Sequence, residues 1–551
     1  MFSDRLNDIL FHLLPAQPEA LVNVGAFADI DSNTRKEIQM AAEKALSQPI
    51  PRISLSAYLR SGDEIASLRR TRREMLLSLI LGSVCTGASR YIEKMLDLAF
   101  SVTEESTWRD ARRISEIARG DADLHALETA CLISWMLQLT GRDIKRISED
   151  AYLYFSDVLA KRIFIPFAAR ETPRWALKRD ADRLSRLTSL LTSLLLADDN
   201  DRRRWVSVRR CLSLIEEAVR QLPKDGAHPY GLEAWQIDAQ AVSDAATMLL
   251  LATGGEVDVR SDRKLKRMAE YPVSAHMGNG FFVNPDGTAK PDLDGETLFR
   301  IGECADNGYL KRLGAAIGKS VSPARRFSPS AEILSVLMRR ALNAEPAVFP
   351  IRKNVLLPYS QLTACEASGF RACLTGGART SGHMDAGNLH LYYQGEPIFA
   401  DLDTASFQSV DHSLPTVDGY EITKGFSGAK DIDAQFEEAF TYLSINIAPG
   451  FDERAGVLSW QRTVMLSPME KRIRIIEAFD LNHKAENVTF RFITPIRPVP
   501  NGAGEFILGN VRLSWEGNLT GKVDKVRNGY RISVTAEDIG MRGNYAFIVS
   551  A

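Results

Sequence analysis

Two hydrophobic periodicities divide this chain, and the change from one to the other falls near residue 350. From about residue 60 to 345 apolar side chains return every three or four positions between short breaks containing Gly, Pro or Asp. That spacing predicts helices over residues 74–100, 123–139, 149–167, 180–196, 203–222, 232–253 and 331–342. The run LTSLLTSLLLADD is apolar on more than one face, as a helix packed inside a closed multi-helix layer must be, so a helical barrel or toroid fits better than a small bundle. Helical hairpins of uneven length, with no fixed short period, argue against a regular solenoid.

Beyond residue 350 the apolar side chains alternate instead, in short runs such as NVLLPYS, FRACLTG, NLHLYYQG, RTVMLS, RIRIIEAFDL, NVTFRFITPI and YRISVTA. Gly, Asn and Pro punctuate them, which is what a hairpin-rich antiparallel sheet needs, and a β-sandwich is the economical result. The Ser/Pro/Arg-rich stretch around 318–330 reads as a surface loop before the last helix. The expected architecture is therefore multidomain α+β: a helical (α/α) toroid or incomplete barrel over 1–345, then an antiparallel β-sandwich over 346–551.

A length of 551 residues exceeds what one core usually organises, and 45% apolar residues supply two. Sixty-eight basic against 70 acidic side chains leave a formal charge of −2, which favours neither nucleic acid nor an anionic membrane as partner. The start, MFSDRLNDILFHLLPAQPEA, lacks a basic segment followed by a long apolar one, so a cytoplasmic protein is expected. The longest apolar runs are too short to span a bilayer. Cys85, Cys131, Cys211, Cys304, Cys365 and Cys373 are scattered without a CxxC pair and read as reduced and mostly buried.

The segment RTSGHMDAGNLHLYYQGEPIFADLDTASF, followed by DHSLPTVDGYEI, resembles the signature of the heparinase II/III family of polysaccharide lyases. Upstream, LETACLISWMLQLTG, LLLATGGEVD and KRMAEYPVSAHMGNGFFVNPDG are similar to the helical domain of that family. The resemblance runs intermittently from about residue 120 to 480. It implies the same toroid and sandwich, and β-elimination on a uronic-acid polysaccharide: the substrate carboxylate is neutralised, a base takes the C5 proton, and an acid protonates the departing O4. It also implies a zinc ion, structural in role, on His383, Asp401 and His412, an N/O donor set that suits zinc. The alternative for these residues is that His383 and Asp385 cap a turn and Asp401 satisfies backbone donors.

Several positions depart from the family pattern. Ser381 stands where the first histidine of the signature is expected, Asp180 or Asp182 where an asparagine is expected, and Tyr230 and Ala234 occupy the Glu and Tyr positions around the matching Gly231. Serine takes no proton unaided near neutral pH, and a carboxylate repels a uronate. If the chemistry is rebuilt locally, His228 and Tyr230 are the candidate base/acid pair; otherwise they are a turn residue and an aromatic anchor. Arg371 and Arg379, with Tyr392 and Tyr393 behind them, are candidates for contacting an anionic sugar, arginine through a bidentate carboxylate contact; the alternative for Arg371 is a surface partner. His125 and Glu128 share a helix face, His276 reads as structural, and His390 is expected on the strand face opposite His383. Three functions compete: a lyase on imported anionic oligosaccharides, a catalytically degenerate relative that binds carbohydrate or a protein partner, and a hydrolase built on Asp180, Asp182 and Glu233.

Overall fold

The computed structural model describes residues 2–117, 122–169, 173–318, 327–377, 383–402, 408–467 and 469–551. Two compact units divide it: Met1–Gln221, Gln236–Lys266 and Asp294–Pro346 form one, and Leu222–Trp235, Arg267–Leu293 and Ala347–Ala551 form the other. A single boundary at 345 is therefore replaced by an interleaved one. The physical reason is that Met277 and Val283 pack into a buried cluster with the sheet residues Val355, Leu362, Ala364, Cys373 and Tyr392.

The first unit is helical. The expected helices appear at Leu124–Ile147, Glu149–Leu159, Arg183–Ala197, Asp201–Gln221, Leu232–Ala252 and Pro329–Ala344. Asp123 starts the first of them by accepting from Ala126 N at 3.0 Å, and Ser148 caps the next through Ala151 N at 3.1 Å. The run expected over 74–100 is two helices, Gly62–Thr86 and Ile92–Thr103, because Gly87 adopts φ 66° and closes the first with its N–H on Ser83 O. Helices at Gly295–Cys304 and Gly308–Ile317 fall within the same helical region, and one at Ser32–Ser47 precedes it. Among the described residues no helix is long and apolar enough to cross a membrane. All six cysteines are free and buried.

The second unit is built of antiparallel strands. A small hairpin, β1 (His276–Gly278) and β2 (Phe281–Phe282), precedes a five-stranded sheet in sequence order: β3 (Asn354–Leu357), β4 (Leu362–Ala367), β5 (Phe370–Thr375), β6 (Asn388–Tyr393) and β7 (Glu396–Phe399). β8 (Thr416–Val417), β13 (Ala485–Thr494), β17 (Leu519–Val526) and β18 (Gly529–Ile539) make a four-stranded sheet in the order β17-β18-β13-β8. Eight more strands complete the unit: β9 (Lys430–Phe436), β10 (Thr441–Asn446), β11 (Val457–Ser467), β12 (Arg472–Leu481), β14 (Val499–Pro500), β15 (Glu505–Leu508), β16 (Val511–Trp515) and β19 (Arg542–Ser550). Their order is β14-β15-β16-β19-β12-β11-β10-β9.

Period-two alternation sorts β11 and β12. Trp460, Arg462, Val464, Ile473, Ile475, Glu477 and Phe479 point inward, while Gln461, Thr463 and Met465 on the other face of β11 are half-buried. An arginine and a glutamate thus sit opposite each other inside an apolar core, paired at 2.7 Å with both side chains fully buried. The Trp460 indole N–H donates to the same carboxylate at 2.7 Å. Arg462 reaches further, donating to Gly387 O at 2.7 Å and Ser413 O at 2.6 Å, so a core cation fixes two loops of the site described next.

Candidate functional site

Alternation gives the five-stranded sheet two unlike faces. Phe370, Ala372 and Leu374 of β5, with Leu389 and Leu391 of β6, enter the large sandwich core. Arg371, Cys373 and Thr375 face the other way and pair across the strands with Tyr392, His390 and Asn388. The two inserted segments of the unit supply further residues here. Gly231 makes one junction possible: at φ 90° it lets Leu232 N donate to Asn284 Oδ1 at 2.9 Å, and a Cβ there would lie 2.7 Å from that oxygen.

A pocket of about 560 Å³, open solvent included, results; His228, Tyr271, Asn284, Asp385, His390 and Asp401 bring its chemistry. Tyr230 N–H donates to His228 Nδ1 at 3.2 Å, so the neutral ring carries its proton on Nε2. Tyr271 is 2% exposed, and among the described residues its phenol oxygen has no hydrogen-bond partner. Burial pushes that phenol well above its ordinary value, so it holds its proton. Burial also lowers His390, against the pull of Asp401, and the ring is neutral at neutral pH.

His383, Asp401 and His412 lie together. His412 Nδ1 stands 3.0 Å from Asp401 Oδ1, and the rings of His383 and His412 are 6.2 Å apart. Burial opposes the charge on His412, but the Asp401 carboxylate outweighs it and raises the imidazole to about 9. Burial likewise opposes charge on Asp401, yet His412, His390 and the Asn388 amide, 2.9 Å away, hold it well below the usual carboxylate range. Two imidazoles and a carboxylate are donors zinc accepts, and among the described residues the buried Nε2 of His412 has no hydrogen-bond partner, as an unfilled ligand atom would not. Asp401 is turned onto His412, and among the described residues no group of three or more His, Cys, Asp or Glu side chains is close enough to enclose a metal ion. The donor chemistry fits zinc, while the ligand shell is not drawn together.

The other expected residues fall in different places. His228 lines the pocket, whereas Tyr230 is 66% exposed and outside its lining, contributing its backbone N–H. Arg371, a candidate for contacting an anionic sugar, does not present its charge to a ligand: its guanidinium is buried and donates to Arg352 O at 2.6 Å and Ser274 O at 3.1 Å. Tyr393 belongs to the opposite face, its ring 4.6 Å from Phe370 against the sandwich core. Arg379 and Ser381 lie outside the described residues. His390 corrects an expectation, since it approaches Asp401 Oδ2 at 4.0 Å and joins the same cluster as His383. His276 is structural as expected, its Nδ1 2.9 Å from Pro350 O.

The carboxylates are spoken for locally. Asp180 grips Arg186 with both oxygens, at 2.7 and 3.3 Å, and Glu233 accepts from Asp292 N at 3.1 Å and Asn284 Nδ2 at 3.4 Å. In the helical unit His125 is lowered by burial, and Glu128 is 5% exposed in the same helix. Sequence reasoning missed Tyr271, Asn284 and the pocket role of His390. The alternation of NLHLYY, with Leu on one parity and Asn, His and Tyr on the other, was the signal available for His390.

No family model and no curated protein matches this sequence. Solved structures do. A heparinase III superposes with TM-score 0.61 at 11% identity, over 99% of this chain and 88% of its own. The heparan sulfate lyase HepC from Pedobacter heparinus gives 0.60 at 13% identity, over 97% and 85%. A chondroitin AC lyase of Streptomyces coelicolor A3, solved in complex with chondroitin sulphate, gives 0.52 at 12% identity, over 100% and 83%. With a helical N-terminal region and C-terminal antiparallel sheets, the chain has the fold of the α-toroid plus β-sandwich polysaccharide lyases.

Proposed function

We propose that the chain is a carbohydrate-active lyase that cleaves uronic-acid oligosaccharides by β-elimination, using the pocket of its sheet-rich unit. One observation carries this: two imidazoles, His228 and His390, share a pocket with a buried, protonated phenol, Tyr271, that makes no hydrogen bond among the described residues. In the step envisaged, an imidazole takes the C5 proton, the C–H electron pair becomes the C4–C5 double bond, the C4–O4 bond breaks, and the Tyr271 proton goes to O4. Incubation with heparan, chondroitin, hyaluronan and alginate oligosaccharides is expected to raise the ultraviolet absorbance of unsaturated uronate with at least one of them. A flat signal across the panel rejects the reading.

Zinc on His383, Asp401 and His412 belongs to the same proposal, supported by the buried donor set and the orphaned His412 Nε2. It would pin the loop bearing His412 against the start of the sheet. Elemental analysis of protein purified without chelator should find near-stoichiometric zinc, absent from a His383→Ala, His412→Ala double variant; zinc-free wild-type protein refutes the assignment.

Asp385 and Asp401 favour a second reading. Two carboxylates in the pocket repel a uronate, so a relative that binds sugar hydroxyls without turning them over also fits. Tight oligosaccharide binding by calorimetry with no unsaturated product would select it.

A further inference from the structure

Tryptophan is mostly hidden in this protein. Trp108, Trp135, Trp235, Trp460 and Trp515 are each at most 7% exposed, yet Trp205 is 49% exposed and Val206 beside it 48%. Both lie near the start of the helix Asp201–Gln221 in the helical unit. Leaving an indole in water forgoes a large burial term, so the position asks for an explanation.

The arginines of the same helix sharpen the question. Arg203 pairs with Asp198 at 2.5 Å, Arg204 is buried on the Leu14 and Leu195 carbonyls, Arg210 donates to Phe167 O at 2.6 Å, and Arg220 pairs with Glu216 at 3.0 Å. Arg202 and Arg209 are exposed, and among the described residues neither side chain makes an ion pair, a hydrogen bond or a stacking contact. They stand at i−3 and i+4 from Trp205, so all three side chains share one helix stripe. Seven residues at a rise of about 1.5 Å separate the two guanidinium-bearing positions by about 10 Å along the axis, with the indole between them.

We infer that the Arg202–Trp205–Arg209 stripe is a binding platform for an anionic polysaccharide, a holding site on the helical unit that retains polymer. The two cations complement carboxylate or sulfate groups spaced along a chain, and the open indole face offers the flat apolar surface on which the C–H face of a pyranose ring stacks. Charge complementarity fixes the sign of the ligand; the choice of a glycan among polyanions rests on the lyase reading of the pocket.

The test uses the full chain with heparin and chondroitin sulfate polymers, neutral dextran and a DNA duplex as probes in calorimetry. Wild-type protein should bind at least one of the anionic glycans and not dextran. Trp205→Ala should weaken that binding about tenfold and Arg202→Ala/Arg209→Ala about a hundredfold at low salt, with unchanged thermal unfolding and unchanged turnover of short oligosaccharides. Variants that bind like wild type, a wild type that binds neither glycan, or duplex DNA held equally tightly through Trp205 would each overturn the inference. If no oligosaccharide is cleaved while polymer binding still depends on Trp205 and the two arginines, the lyase reading falls and the platform stands.

Discussion

Replacing Arg462 by methionine should lower the stability of the sheet-rich unit by about 3–5 kcal/mol in chemical denaturation. The guanidinium is the partner of a fully buried carboxylate, Glu477, and removal leaves that charge inside an apolar core with the Trp460 indole N–H as its remaining side-chain partner among the described residues. It also releases Gly387 O and Ser413 O, the carbonyls that tie down the approach to β6 and the residue after His412. Burial already pushes Glu477 above its ordinary value, and Arg462 is the strongest force opposing that shift. Without the arginine the folded-state value rises further. A carboxyl with a raised folded value gives its full stability below the unfolded value of about 4.3 and loses it as pH climbs through the folded one. The single variant should therefore be damaged more at about pH 8 than at about pH 4. Adding Glu477→Leu should recover much of the loss, since the apolar pair no longer buries a lone charge, although the indole N–H then lacks its acceptor. A single variant within about 1 kcal/mol of wild type at neutral pH would contradict the account.

Tyr271→Phe should remove about 10²- to 10⁴-fold of the turnover on any oligosaccharide that the protein cleaves, with KM little altered. The substitution deletes one oxygen from a side chain that is 2% exposed, and that oxygen makes no hydrogen bond among the described residues, so packing and fold should survive it. Unfolding curves that overlay those of wild type would confirm this. A phenol whose value burial holds far above neutrality can give a proton at working pH but not serve as the resting base, so the loss should be a kcat effect. Full turnover by the phenylalanine variant would reduce Tyr271 to a wall of the pocket.

Much of this could be read from residue order, and the exceptions have physical causes. Alternation in RIRIIEAFDL and RTVMLS announces the sandwich, because a strand buried on one side has no other way to hide its apolar set. The 74–100 run reads as one helix because Gly87 changes the backbone without interrupting the apolar period on either side. His390 was assigned to the wrong side because parity was counted from His383, whereas β6 begins at Asn388 and Gly387, at φ 86°, breaks the count just before it. Arg371 was expected to meet an anionic sugar, but its guanidinium is taken by carbonyls at 274 and 352, partners no local pattern reveals. Tyr271 and Asn284 were invisible for a related reason: they gain meaning only when residues 267–293 are laid against strands that follow more than 60 positions later.

The threefold entry of the chain into its sheet-rich unit bears on how such a protein can diversify. Pocket residues come from Leu222–Trp235, Arg267–Leu293 and Ala347–Ala551, so His228, Tyr271 and His390 sit on three separate stretches of sequence. Recombination at any one junction would leave a hybrid carrying part of its chemistry from one parent and the rest from the other, with Met277 and Val283 facing a foreign sheet. Shuffling whole halves between relatives is thereby penalised, and new specificities are left to arise by point substitution within an inherited frame.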